Sequence, residues 1–320
     1  MPLNQQQLLQ HSLANRLQSL LLLGIMAGFL ALLGGILWGS DGIFMLLFSG
    51  SLLILFNPVA RPGLIMRMYR ATPLSAAEVP ALHSALQELC RRARLPQSPA
   101  LYYVPSKALN AFAVGRHNEA VIALTDGLLR SLDQRESIAV LAHEISHIQN
   151  NDTWVMGIAD LFSRMTSALS LFGQLLLLIN LPLILISSIS ISWFAIALLI
   201  FAPNLSALAQ LGLSRTREYN ADLNAVRLTG DPQGLASALL KIERGSGSVF
   251  ERILLPGRNI PEPSLLRTHP PTEERVRRLM ELKASPAESS ITPFAQYPAT
   301  HIPHPGIRRP PRRHISGLWY

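Results

Sequence analysis

Cysteine is almost missing from this 320-residue sequence. The one thiol, Cys90, has no partner in the chain, so an intramolecular disulfide and a cysteine-based metal cluster are both excluded. Charge is scarce as well, at 15% of residues against 49% hydrophobic, and the mean hydropathy is +0.27. That balance excludes a disordered or solvating chain and points to a membrane protein. Acidic residues are the scarcer sign, 20 against 28 Lys and Arg, for a net charge of +8. A basic excess suits nucleic acid, anionic lipid or cytoplasmic loops equally, so its placement has to decide.

The placement is uneven. No charge occurs from Leu20 to Trp38, a run long enough to cross a bilayer as a helix. Arg16 and polar residues precede it, without a small-residue cleavage site, so it reads as a retained anchor and not a signal peptide. After Gly39-Ser40-Asp41-Gly42, a second apolar run from Ile43 to Phe56 reaches spanning length if extended to Ala60. Arg61, Arg67 and Arg70 follow, whereas the hairpin carries only Asp41, which places both outer ends in the cytoplasm. Met165 to Ser214 is again free of charge and has room for two crossings, turning at Asn180-Leu181-Pro182 or in the serine run Ser187 to Ser192. The expected division is a cytoplasmic N-terminus (1–18), two transmembrane hairpins (19–60 and 158–213), two parts of one catalytic domain (61–157 and 214–283) and a Pro- and Arg-rich disordered tail (284–320).

Between the apolar segments the periodicity becomes amphipathic. Glu78 to Leu95 and Asp133 to Gln149 read as helices, with further helices over Pro232 to Arg244 and Pro271 to Lys283. Ala100 to Val104, Asn110 to Val114 and Ala120 to Leu124 read as short strands, the last two joined by a turn at Gly115-Arg116-His117-Asn118. The expected fold class is mainly α with a small β-sheet (α+β): four transmembrane helices and a zincin-like catalytic domain.

The chemistry concentrates on the second of those helices. His143-Glu144-Ile145-Ser146-His147 is an H-E-x-x-H motif, in which imidazoles four residues apart share a helix face and can meet one metal ion, zinc being the natural candidate. Glu144 stands beside the first of them, placed to take a proton from water without binding the metal. A third ligand is required. The metzincin extension is absent, since Asn150 and Thr153 occupy its Gly and His positions. Glu218 and Asp222 follow the charge-free stretch four residues apart, so that one carboxylate can reach zinc while the other accepts a hydrogen bond from a ligand imidazole. For these residues to share one ion, the chain between them has to cross the membrane an even number of times.

Four ordered motifs carry a resemblance to a known family: Asn110-Ala111-Phe112-Ala113-Val114-Gly115; Leu141 to His147 with Asn151-Asp152; Ser214 to Tyr219 with Ala221-Asp222; and Thr268-His269-Pro270-Pro271 with Arg275. Together they resemble the HtpX family of membrane-bound zinc metalloproteases, gluzincins related to the CAAX prenyl proteases, over nearly the whole chain to about residue 283. The resemblance implies one Zn2+ per subunit held by His143, His147 and Glu218, with Glu144 as catalytic base and Asp222 behind the ligands. It further implies that His269 stabilises the transition state and that Asn110, Ala111 and Phe112 form an edge that receives an extended peptide. The nearly absent loop between the third and fourth apolar runs and the Arg/Pro-rich tail depart from the family pattern.

The expected function is membrane-bound zinc endopeptidase in a bacterial inner membrane, its catalytic domain facing the cytoplasm, acting on peptides or unfolded membrane proteins. The bilayer is its other partner, and no nucleic acid is expected. A catalytically idle adaptor with a structural zinc is the alternative, disfavoured by Glu144, which a structural site does not need. A channel or transporter is disfavoured because the apolar runs carry no ionisable residue.

Overall fold

The computed structural model describes residues 5–55, 62–116, 118–186, 192–245 and 271–283. They form a mostly helical protein with one small mixed sheet, divided into two compact units. One is built on Val59–Trp154 with the chain from Arg217 onward; the other joins Ala14–Pro58 to Val155–Thr216.

In the first unit four strands, β1 (Thr72–Pro73), β2 (Ala100–Val104), β3 (Ala111–Val114) and β4 (Val121–Thr125), lie in the order β1-β2-β4-β3. β2 and β4 run parallel with Leu101 opposite Ile122, and β3 returns antiparallel to β4 with Phe112 opposite Ala123. Alternation along the strands sends their side chains to two different cores. Leu101, Ile122 and Leu124 face helices α3 (Pro80–Ala93) and α5 (Gln134–Gln149), packing with Leu82, Leu86, Ile138, Leu141 and Ile145. Phe112, Val114 and Val121 face the other way, onto Met66 and Tyr69 at the end of α2 (Pro62–Met68).

Helix α5 starts where its sequence directs. Asp133 accepts from the Glu136 N–H at 2.8 Å, and the Glu136 carboxylate accepts from the Asp133 N–H at 2.9 Å, a reciprocal capping box. Glu136 also receives Ser237 Oγ at 2.6 Å and Lys241 Nζ at 2.7 Å from α8 (Pro232–Gly245), which ties the helix laterally. The short helix α4 (Asp126–Ser131), α2 and β1 are additions to the elements expected from periodicity, each too short to show a period.

The second unit contains most of α1 (Gln5–Leu55), α6 (Asp152–Ile186) and α7 (Trp193–Thr229). These three helices are long and apolar enough to cross a membrane. Within α1 the backbone leaves helical geometry at Trp38 and at Gly39, whose φ of +63° suits glycine. Beyond this break the chain doubles back so closely that a Cβ on Gly42 would collide with the Gly34 carbonyl. Two expected apolar runs are therefore the two limbs of one bent element, whose extension to Ala60 falls outside the described residues. Asn180-Leu181-Pro182 is no turn, because α6 runs through it with Pro182 inside; residues 187–191 of the serine run lie outside the described residues. Ser170 Oγ donates to the Leu199 carbonyl at 2.5 Å, and Ser163 Oγ stands 3.2 Å from Ser206 Oγ, so small polar side chains join α6 to α7.

Candidate metal centre

The candidate centre lies wholly within the first unit, between α5 and the charged final third of α7. His143 and His147 are one turn apart on α5, and their Nε2 atoms face each other at 3.0 Å. Glu218 approaches from α7 with Oε2 3.4 Å from Nε2 of His143 and Oε1 3.7 Å from Nε2 of His147. Ligand atoms held about 2.0 to 2.2 Å from a tetrahedral ion lie roughly 3.3 to 3.6 Å apart. The observed separations bracket that range, and two imidazoles with one carboxylate are a donor set suited to a divalent metal. These three residues fit one ion.

The other imidazole nitrogens are also engaged. Nδ1 of His147 hydrogen-bonds Asp152 at 2.7 Å, and Nδ1 of His143 lies 3.0 Å from Oδ1 of Asp222, an ion-pair contact at an angle outside hydrogen-bond geometry, so a carboxylate stands behind each ring with Nε2 turned inward. Asp222 in turn accepts from Arg275 of α9 (Thr272–Lys283) through Nε at 2.7 Å and Nη2 at 2.6 Å, and Nη1 of Arg275 is 3.1 Å from Glu218. Asp152 pairs with Arg217, whose Nη2 donates to the Asn150 carbonyl at 2.8 Å. Asn151 makes this pairing possible. Its φ of +55°, tolerable for Asn, turns the chain between α5 and α6 so that Asp152, heading α6, reaches back to His147.

Burial opposes protonation of His143, but Asp222 and Glu218 outweigh it and push the imidazole up to about 10 in the metal-free protein. His147 is half-buried; burial works against its protonation, and the Asp152 carboxylate outweighs it and shifts the imidazole upward. A cation entering this centre therefore competes with a proton on His143. Glu144 is 8% exposed and follows His143 on α5.

Asp152, Arg217 and Arg275 stand in the motifs quoted above, but their sequence spacing assigns them no part. Asp152 is five residues beyond His147, past a helix end, and Arg275 is remote from Asp222, so only the folded chain shows these pairings. His269 lies outside the described residues. Asn110 stands just before β3; its N–H donates to Thr125 Oγ1 at 3.0 Å and its carbonyl accepts from the Thr125 N–H at 3.1 Å. β3 is the last strand of the sheet. Ala111 and Phe112 are buried, so a peptide laid along this strand would meet backbone and not those side chains.

An apolar multi-helix unit joined to an H-E-x-x-H helix that shares its donors with a downstream glutamate defines a metal-dependent peptidase of the membrane. Comparison with known proteins specifies the class. Residues 76–283 match the model of peptidase family M48, and the chain belongs to that family. The protease HtpX homolog of Acaryochloris marina is 34% identical over 299 residues, covering 84% of this chain and 95% of that protein. That of Aquifex aeolicus is 35% identical over 281 residues, covering 82% and 92%. The crystal structure of S. mikatae Ste24p is similar with a TM-score of 0.44 at 23% identity, over 84% of this chain and 66% of that one. The protein is a membrane-bound metalloprotease.

Proposed function

We propose that the protein is a zinc endopeptidase in which His143, His147 and Glu218 hold the ion and Glu144 is the catalytic base. The observation that carries this reading is the convergence of both Nε2 atoms and the Glu218 carboxylate at tetrahedral ligand spacing. When bound, zinc supplies Lewis acidity toward a peptide carbonyl and makes water easier to deprotonate. The residues supply the rest. Asp152 hydrogen-bonds Nδ1 of His147 and favours the tautomer with Nδ1–H toward it, and the Asp222 carboxylate, 3.0 Å from Nδ1 of His143, favours the same tautomer there electrostatically. Glu144 accepts a proton from the attacking water on a carboxylate oxygen, then returns it to the amine nitrogen that leaves. The outer edge of β3, the last strand in the order among the described residues, lays out the substrate as an extended strand through backbone N–H and C=O groups.

The substrates are peptides or unfolded segments of membrane proteins, brought near by the apolar unit. The reading includes four crossings, the two limbs of α1 together with α6 and α7, and a zincin-like catalytic domain facing the cytoplasm of a bacterial inner membrane. The break at Trp38 and Gly39 supports two limbs, and Arg67 and Arg70 after the second support the orientation.

Casein cleavage by the purified protein, with and without a chelator and with zinc restored, tests the reading. Glu144→Gln keeps the side-chain shape without the basicity. It is expected to bind zinc in a one-to-one ratio while cleavage falls about 100- to 10,000-fold. Wild-type cleavage by this variant removes Glu144 from the mechanism.

A further inference from the structure

Four carboxylates, from Glu144, Asp152, Glu218 and Asp222, are buried in one cluster, and Arg217 and Arg275 are buried with them. Each arginine ends a chain of three groups. Arg217 pairs with Asp152, which faces Nδ1 of His147 at 2.7 Å. Arg275 forks onto Asp222 at 2.6 and 2.7 Å, and Asp222 faces Nδ1 of His143 at 3.0 Å. The two chains set out from α7 and α9 and end on imidazoles one turn apart on α5. Among the described residues of this cluster, with the imidazoles neutral, four carboxylates stand against two guanidiniums. Uncompensated charge is costly out of water, and the excess of two is what a divalent cation cancels. Arg275 also lies 3.1 Å from Oε2 of Glu218, so it limits where that carboxylate can turn.

We propose that Arg217 and Arg275 are paired positioning residues of the metal centre: acting through Asp152 and Asp222 they hold both Nε2 atoms toward the ion, and together they set the charge of the cluster to suit a dication. The inference rests on the metallopeptidase reading and adds how the centre is tuned. A planar guanidinium is suited to the task, because its fork holds both oxygens of a carboxylate at once and it stays charged when buried; a lysine ammonium keeps the charge and loses the fork. Substitution by lysine therefore separates orientation from charge.

The test uses the full chain in detergent, stripped of metal and reloaded with Co2+, whose visible absorption reports coordination geometry without reference to activity. The variants are Arg275→Lys, Arg275→Gln, Arg217→Lys and Arg217→Gln. Arg278→Gln is the control, since Arg278 lies on the same helix with its guanidinium 3.7 Å above the Tyr219 ring and is half exposed. After zinc reloading, the glutamine variants are expected to show kcat/KM lowered about 10- to 100-fold. Their Co2+ spectra change, and the acidic limb of the pH profile moves up by about one unit because a neighbouring positive charge is gone. The lysine variants are expected to change the spectrum with the limb in place, and Arg278→Gln to change neither. If the glutamine variants match wild type in spectrum and limb and differ only in the unfolding midpoint of the metal-free protein, the arginines merely hold helices together and the proposal fails. Should the glutamine variants not fold, wild-type spectra and rates in both lysine variants overturn it. A wild-type protein that takes up neither Co2+ nor Zn2+ overturns the metallopeptidase reading itself and this inference with it.

Discussion

Glu144 and Glu218 carry the same functional group, and the proposed mechanism gives them different work. Glu218 faces two imidazoles and is held by Arg275, whereas Glu144 follows His143 on the helix that supplies both imidazoles. Glu218→Ala is expected to strip zinc during purification and abolish casein cleavage, because two imidazoles alone define no geometry for the ion. Asp222→Ala removes only the partner of a ring nitrogen and is expected to cost about 10- to 100-fold in metal affinity or activity, with turnover measurable in excess zinc. Stoichiometric zinc and wild-type cleavage in Glu218→Ala would place the third ligand elsewhere. Protonation supplies a further prediction. His143 is pushed up to about 10 without metal, so zinc has to displace its proton. Protons compete more strongly at low pH; apparent zinc affinity is thus expected to rise from about pH 6 to about pH 8, with proton release on titrating zinc into a weakly buffered metal-free sample. An affinity that is flat over this range contradicts the assignment.

At the scale of elements, small residues decide how α1 bends. Gly39 adopts φ of +63°, and Gly34 meets Gly42 so closely that neither tolerates a side chain without the two limbs moving apart. Gly50 lies on the same helix with nothing within 4 Å of its would-be Cβ. Gly42→Leu is therefore expected to lower the yield of full-length protein in the membrane fraction and its unfolding midpoint in detergent, while Gly50→Leu leaves both near wild type. Equal behaviour of the two variants would mean that the limbs do not pack through these glycines in the bilayer.

For the whole molecule, the zinc reading and the arginine distribution make the same demand. His147 precedes the second pair of apolar segments and Glu218 follows it, so a shared ion requires both flanks on one side of the membrane. Reporters fused after Arg70 and after Lys283 are both expected to read cytoplasmic. A periplasmic signal at either position breaks the four-crossing arrangement, independently of any result on cleavage.

The sequence by itself determined the local features. The charge-free runs, the H-E-x-x-H helix and the strand alternation are patterns of neighbouring residues, and water, bilayer and backbone geometry act on neighbours directly. Helix α5 begins just after Asp133 because a capping box spans only four neighbouring residues, and Glu218 stood out because its motif follows the charge-free stretch. Elements as brief as α4 and β1 left no period to read, and Asn180 to Pro182 looked like a turn because Asn and Pro are turn residues, whereas α6 runs on through them with Pro182 inside. Only the tertiary structure decided which cations stand behind Asp222 and Asp152. Arg217 joins Asp152 and Arg275 joins Asp222 across long stretches of chain, and both are buried charges with no period to announce them. Their place is set by the need of each buried carboxylate for a partner of opposite charge, a requirement that exists only once folding has removed the water.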